Sequence, residues 1–406
     1  MPHAYLLPPL RTAGARREGA LSGWHPVDLA ARIIDAVVQR AGVDPGAVDD
    51  VILGCVMQVG EQAVNVARNA VLASSLPRSV PGTTLDRQCG SSQQALHFAA
   101  QAVMSGQMDV VVAGGVESMS RVPMMASVAL PAKAGMGHYH EGILRQRYPQ
   151  DFSQFTGAEL LARQFGLTRE DLDAYALQSH RKAALATQSG AFTAEILPVE
   201  ARPRGQSALS SDPPPSSRAA SSLLHTVDEG IRFEATAQAM ASVKTLQPDG
   251  LITAANASQI CDGASACVVV SEAALKRYGL VPMARVHHMS VLGHDPVVML
   301  DAPLPATMRA LGKAGMRIED IDLFEVNEAF APVPLAWLRH TAADPDRLNI
   351  HGGAIALGHP LGASGTKLLA TLLHALVRYK KRWGLQTMCE GGGMANVTIV
   401  ENLHTA

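Results

Sequence analysis

The chain has 406 residues, of which 47% are hydrophobic and 17% charged, with 35 glycines and a formal net charge of −2. That balance excludes a disordered chain and offers no basic field for a phosphate backbone, so nucleic acid is not an expected partner. Five cysteines, at 55, 89, 261, 267 and 389, are an odd number without paired metal spacing, which argues against a disulfide framework or a metal site and for a reducing, cytoplasmic setting.

The length points to two or three domains. No run approaches the roughly 18 apolar residues that span a bilayer, so no membrane span is expected. Arg11, Arg16 and Arg17 do not make a leader, because Asp28 and a helical pattern follow closely, and His404-Thr405-Ala406 is no peroxisomal signal.

In chain order, Ala4–Leu7 reads as a strand, and Pro26–Ala41 as a helix with Leu29, Ile33, Ile34, Val37 and Val38 on one face. Val51–Leu53 is a short buried-type strand and Asn65–Leu72 a helix. At Thr83–Val103 a β-prone run ends in a polar turn holding Cys89, and an amphipathic helix follows. Val110–Ala113 reads as a strand ending at Gly114-Gly115. Alternating strands and helices predict an α/β half with a mostly parallel sheet.

Between about Ser120 and Ala255 this rhythm is lost. Ala158–Phe165 and Arg169–Ser189 are helical, whereas Arg202–Ser222 is rich in Pro, Ser and Ala and predicts an exposed, mobile loop. Alternation resumes near Asn256, with Ala266–Ser271 as a strand and a helix from Glu272. The expected organisation is an N-terminal half (1–119 and 256–282), an inserted loop domain (120–255) and a C-terminal half (283–406). A weak repeat relates the halves: at an offset of 273 residues, Cys89–Ser92 falls on Gly362–Gly365, each before an apolar helix.

Four turns carry residues suited to thiol chemistry: QCGSS at Cys89, NEAF at Asn327, GGAIALGHPLGASG around His359, and CEGGG at Cys389. A thiol at a helix N-terminus faces unpaired amides and the positive end of the dipole, which favours the thiolate. An imidazole can take the thiol's proton, a second thiol can exchange a proton with carbon, and glycine amides can hold an oxyanion. Each residue also has an ordinary structural reading. Cys89 and Cys389 fit as small buried apolar groups, His359 as a helix cap, and Asn327 as a partner of local backbone.

The four motifs, in this order, resemble the thiolase family over nearly the whole chain. The resemblance implies a duplicated α-β-α-β-α layered architecture with a loop-domain insertion. It also implies that His359 activates Cys89, that Cys89 carries the acyl group of a 3-oxoacyl-CoA, and that Cys389 protonates the departing acetyl-CoA enolate. One oxyanion site would use His359 and a water held by Asn327, the other the amides of Cys89 and Gly391. CoA would enter as a co-substrate, with no tightly bound cofactor, against Ser258 of the Asn256-Ala257-Ser258 segment and against Arg232. A homodimer or homotetramer is implied.

Ser153-Gln154-Phe155 stands where acetoacetyl-CoA members carry His-Met-Gly, which points away from a short acyl chain. Gly60-Glu61-Gln62 and Ser258-Gln259-Ile260 look more like members that degrade bulky sterol-derived or long chains. Glu390 is charged where an apolar residue is usual, and Ala395 replaces a glycine. The alternatives are a biosynthetic acetoacetyl-CoA thiolase, a condensing ketoacyl synthase and a non-catalytic acyl-CoA- or lipid-binding relative.

Overall fold

The computed structural model describes residues 2–204 and 223–404, so the expected loop at Arg202–Ser222 lies outside the described residues apart from Arg202, Pro203 and Arg204. A twelve-stranded sheet organises the molecule. Its main strands are β1 (Tyr5–Leu6), β2 (Asp50–Gly54), β3 (Gly82–Leu85), β4 (Val110–Ser118), β5 (Cys261–Val270), β6 (Ala284–Gly293), β7 (Leu323–Val326), β8 (Trp383–Glu390) and β9 (Met394–Asn402). They lie in the order β7-β8-β9-β6-β1-β5-β4-β2-β3. Within the sheet the strands of the two halves are joined through β1, whose Tyr5 pairs with Val270 on one side and Arg285 on the other.

Five layers result, as the thiolase resemblance implied. Helices α1 (Pro26–Ala41) and α2 (Val66–Ala73) cover one face of the N-terminal half, where Ile33, Ile34 and Val37 bury against Val51, Val112 and Val268. Helices α3 (Ser91–Met104) and α4 (Ser364–Arg378) form the middle layer. Leu96, Ala99, Leu369 and Leu373 pack against Ile52, Val111 and Val269 from one half and Leu323 and Val400 from the other. On the far face, Leu304, Ala310 and Trp337 cover Phe324, Leu385 and Val397. Val51–Leu53 is apolar throughout because both its faces are covered.

The repeat runs through the backbone in register. β2 pairs with β4 in parallel with Asp50 opposite Val111, and β7 pairs with β8 in parallel with Leu323 opposite Gly384, each 273 residues further on. α3 and α4 begin at Ser91 and Ser364, with the same offset.

Three sequence expectations are corrected. β4 does not stop at Gly114-Gly115 but continues to Ser118, pairing those glycines with Ala266 and Ser265. The reason for glycine there is close approach rather than a turn, since a Cβ at Gly115 would run into the Gly362 carbonyl. β5 starts at Cys261, five residues before the apolar run, because its polar start still has Ser118, Glu117 and Val116 to pair with. The N-terminal half is also mixed rather than mostly parallel. The chain leaves the sheet after Ser118 and re-enters beside it at Asp262, so β5 must run antiparallel to β4.

The excursion between β4 and β5 contains helices Gln154–Gln164 and Arg169–Gln188. It is tied to the sheet by a buried cation: Arg11 donates from Nη1 and Nη2 to Asp228 at 2.8 and 3.0 Å and from Nε to Glu195 at 2.5 Å. No helix among the described residues is long and apolar enough to cross a membrane.

Candidate active site

The Cys89 and Asn327 turns follow the carboxyl ends of β3 and β7, Cys389 lies near the carboxyl end of β8, and His359 sits in the loop between helix Ala354–Leu357 and α4, so backbone groups at this edge of the sheet are open to a ligand. Cys89 sits in the turn between β3 and α3. Gln88 is in the left-handed region at φ 50°, its amide donating to Asp86 Oδ1 at 2.6 Å, and the Ser91 hydroxyl donates to the Gln88 carbonyl at 2.6 Å. These local bonds hold the half-buried Cys89 against an apolar cluster of Val56, Met57, Met119, Val122 and Leu361.

Burial pushes the Cys89 thiol up to about 12, and the neighbouring Glu390 adds to the rise. The loss of water acts in the opposite direction to the helix end, which favours the anion.

His359 lies in the turn before α4, buried, with its amide donating to the Gln259 carbonyl at 3.1 Å. Ser364 Oγ is 2.6 Å from Nδ1 and gives its own proton to the Pro360 carbonyl at 2.9 Å. The serine therefore accepts from Nδ1–H, which leaves the lone pair on Nε2. Asn327 Nδ2 lies 3.4 Å from that nitrogen. Burial, reinforced by the Lys367 charge, lowers the imidazole to about 3. Lys367 in turn donates to the Leu357 and Gly358 carbonyls at 2.5 and 3.0 Å, fixing the loop that delivers His359.

Asn327 follows β7, and its amide donates to the Thr387 carbonyl of β8 at 3.1 Å, so the NEAF turn and the Cys389 strand are directly tied. The Asn327 Oδ1 is buried without a partner among the described residues. Cys389 is buried near the end of β8, and its thiol is raised well above the ordinary range by burial and then by Cys89 and Glu390. Gly391 opens the β8–β9 turn; a Cβ there would meet Gln88 Oε1 at 3.0 Å, which places it against the Cys89 turn. Ala395 sits opposite Cys389 in the ladder, where extended backbone suits alanine as well as glycine.

Ser258 lies along the same wall, its amide donating to the Ala329 carbonyl at 2.9 Å. Arg232 is exposed, and its amide donates to His180 Nδ1 at 3.2 Å. Phe155 stands edge-on to Phe330 with ring centroids 5.6 Å apart, beside the NEAF turn. Gln62 is buried, its side chain donating to Glu117 and Met57 and accepting from the Ser118 amide. The structure thus gathers Cys89, Asn327, His359, Cys389 and Gly391 around the converging turns, with Ser258 alongside and Arg232 on the surface. Sequence reasoning missed Ser364 and Lys367, although both lie in or just beyond the histidine motif; only their partners reveal their use.

Two family models cover almost all of the chain: "Thiolase, N-terminal domain" matches residues 7–273 and "Thiolase, C-terminal domain" residues 280–402. A steroid 3-ketoacyl-CoA thiolase of Mycobacterium tuberculosis is 49% identical over 406 residues, 99% of this chain and 95% of that one. An acetyl-CoA acetyltransferase of Escherichia coli is 39% identical over 410 residues, covering 100% of both. The crystal structure of the Bacillus anthracis acetyl-CoA acetyltransferase matches with a TM-score of 0.88 at 35% identity, covering 99% of each chain. Sequence, fold and comparisons agree: the chain belongs to the thiolase family.

Proposed function

We propose that the protein cleaves 3-oxoacyl-CoA with CoA to give acyl-CoA and acetyl-CoA, through an acyl thioester on Cys89. The observation that carries this reading is the state of His359: its proton is held on Nδ1 by Ser364 and its lone pair lies on Nε2 beside Asn327. That is the form a general base needs.

The thiol is pushed up to about 12 and the imidazole down to about 3, so the resting pair is neutral and the proton moves as the thiol attacks. Sγ adds to the 3-keto carbon while Nε2 takes its proton. The developing oxyanion is met by the amides of Cys89 and Gly391. Collapse breaks the C2–C3 bond and leaves the acyl group on Cys89. The departing enolate oxygen is held by His359 and an Asn327-bound water, and C2 takes the proton of Cys389. CoA then gives its thiol proton to Cys389 and attacks the thioester; Cys89 leaves as thiolate and recovers its proton from His359. Every proton and bond is returned, so the same residues serve condensation in reverse.

CoA is proposed to lie across the 120–255 excursion, with Ser258 on the pantetheine arm and Arg232 on the adenine. Exposure of Arg232 suits a group that must stay free for an incoming nucleotide. A bulky acyl chain is the proposed preference. Phe155 beside Phe330 makes an aromatic wall, and the Mycobacterium tuberculosis relative is named for steroid substrates. Assembly as a homodimer or homotetramer is proposed by family likeness.

The test is thiolysis of a panel of 3-oxoacyl-CoA esters graded by acyl bulk, following loss of the Mg-enolate absorbance with CoA present. We expect higher specificity constants for bulky esters. Folded protein that turns over none of the panel overturns the reading, and a preference for acetoacetyl-CoA overturns its substrate part.

A further inference from the structure

Glu390, next to Cys389, has no part in the mechanism above. It ends β8, is fully buried, and neither carboxyl oxygen has a hydrogen-bond partner among the described residues. A buried carboxyl with both oxygens unmatched calls for an explanation.

The repeat supplies a comparison. The 273-residue offset places Glu390 over Glu117 and Cys89 over Gly362. Glu117 accepts from the amides of Gly362 at 2.9 Å, Val56 at 2.9 Å and Met57 at 3.1 Å, and from Gln62 Nε2 at 2.8 Å. It is a strut that braces the turn ahead of α4. Glu390 lies against the matching turn ahead of α3, so close that a Cβ on Gly90 would run into its Oε1. No amide of that turn bonds to it. One half of the molecule therefore surrounds its carboxyl with donors, whereas the other packs the same group beneath the nucleophile and withholds them.

Out of water and with neither oxygen hydrogen-bonded, the carboxyl is pushed toward its neutral form. Burial raises Glu390 to about 8 against the pull of Arg87 and the Asn396 amide, with Asp86 acting in the same direction as burial. Asp86 and Arg87 face it from the turn together with Cys89, Cys389 adjoins it on its own strand, and Glu117 of β4 also acts on the Cys89 thiol. Met394 and Asn396, on the paired strand β9, bring no charge.

We propose that Glu390 is a positioning residue for the nucleophile: a neutral carboxylic acid that props the Cys89–Gly90 turn and, once ionised, opposes the Cys89 thiolate. Its bulk is used and its charge is withheld. The proposal rests on Cys89 being the nucleophile.

The experiment is alkylation of Cys89 by iodoacetamide in the full-length protein, read at the Cys89 peptide by mass spectrometry from pH 6 to 10. The parent is compared with Glu390→Gln and Glu390→Met, and no substrate is needed. One like charge at this range moves a neighbour by about one pKa unit, so the variant-to-parent rate ratio should climb about tenfold from pH 6.5 to 9.5. A purely structural role would change the ratio by the same factor at every pH, and a flat ratio overturns the proposal. The parent alone gives a second check. Its log rate should rise with a slope below one above about pH 8, where ionising Glu390 opposes the thiolate; a uniform slope of one through pH 10 overturns the proposal even where a variant does not fold. A climbing ratio in a protein that turns over no 3-oxoacyl-CoA would reject the proposed reaction and leave this inference standing.

Discussion

Ser364 and His359, five residues apart in the chain, meet at 2.6 Å between Oγ and Nδ1, and that bond decides which imidazole nitrogen can act as a base. Because the serine proton is committed to the Pro360 carbonyl, the hydroxyl can only accept from the imidazole. The tautomer is set before any substrate arrives.

Ser364→Ala removes the acceptor and lets the imidazole proton sit on either nitrogen. With half or more of the base misplaced and its ring less constrained, kcat should fall by about 10- to 100-fold, within the range that general-base catalysis supplies. KM for CoA should change little. Steady-state thiolysis, with circular dichroism as a folding control, checks it, and an unchanged kcat would remove Ser364 from the mechanism.

The two active-site cysteines should separate cleanly. Cys89→Ser is expected to abolish the acyl adduct seen by intact-protein mass spectrometry after exposure to acyl-CoA. Cys389→Ser should keep that adduct yet lose cleavage of 3-oxoacyl-CoA, because protonation at carbon is the role proposed for it. Equal loss of both activities in Cys389→Ser would contradict the division of roles.

Gly115→Ala tests the close approach of β4 to the loop carrying His359. The added methyl runs into the Gly362 carbonyl, a backbone atom that cannot swing aside. A cost of about 1–3 kcal/mol is expected, typical of overpacking a filled interior. The melting temperature should drop, with activity falling alongside it; a variant as stable as the parent would show that the loop yields.

His97 gives a pH-dependent stability difference. It is buried between α3 and β9, with Nε2 2.8 Å from Thr398 Oγ1, and burial lowers it from 6.5 to about 3, with the charges of Arg87 and His288 acting the same way. Between those values the unfolded chain binds the proton and the folded chain does not. The contribution of the neutral imidazole is thus complete above about pH 6.5 and is lost as pH falls toward 3. His97→Gln does not titrate, so its stability deficit against the parent should shrink by about 1.4 kcal/mol per pH unit between pH 6 and 4. Urea unfolding midpoints of both proteins at several pH values measure this, and a constant deficit would mean that His97 is not held neutral.

The elements most legible in the sequence were those whose local pattern and burial agree. Pro26–Ala41 has one apolar face and a proline at its start, and the helix has those bounds. Arg169–Gln188 opens with a Thr168–Asp171 capping box that needs no distant residue. The turn holding Cys89 was legible for the same reason, because Asp86, Gln88 and Ser91 bond to one another within six residues. The start of β5 was not, since Cys261–Ser265 is a strand because β4 on one side and Arg11 and Ala15-Arg16 on the other lie beside it.

What the sequence by itself determined, then, is the alternation of strands and helices, the repeat at 273 residues and four turns rich in thiol, imidazole and amide groups. Each depends on neighbours along the chain. Tertiary structure alone decided the chemical state of those groups. It raised the Cys89 thiol where the helix end by itself favoured the anion, chose the His359 tautomer through Ser364, and gave Glu117 four N–H donors while leaving both Glu390 oxygens without a hydrogen-bond partner among the described residues. The physical reason is that desolvation and hydrogen-bond supply depend on whatever packs around a side chain, and around Cys89 that includes Glu390 and Leu361, distant in the chain.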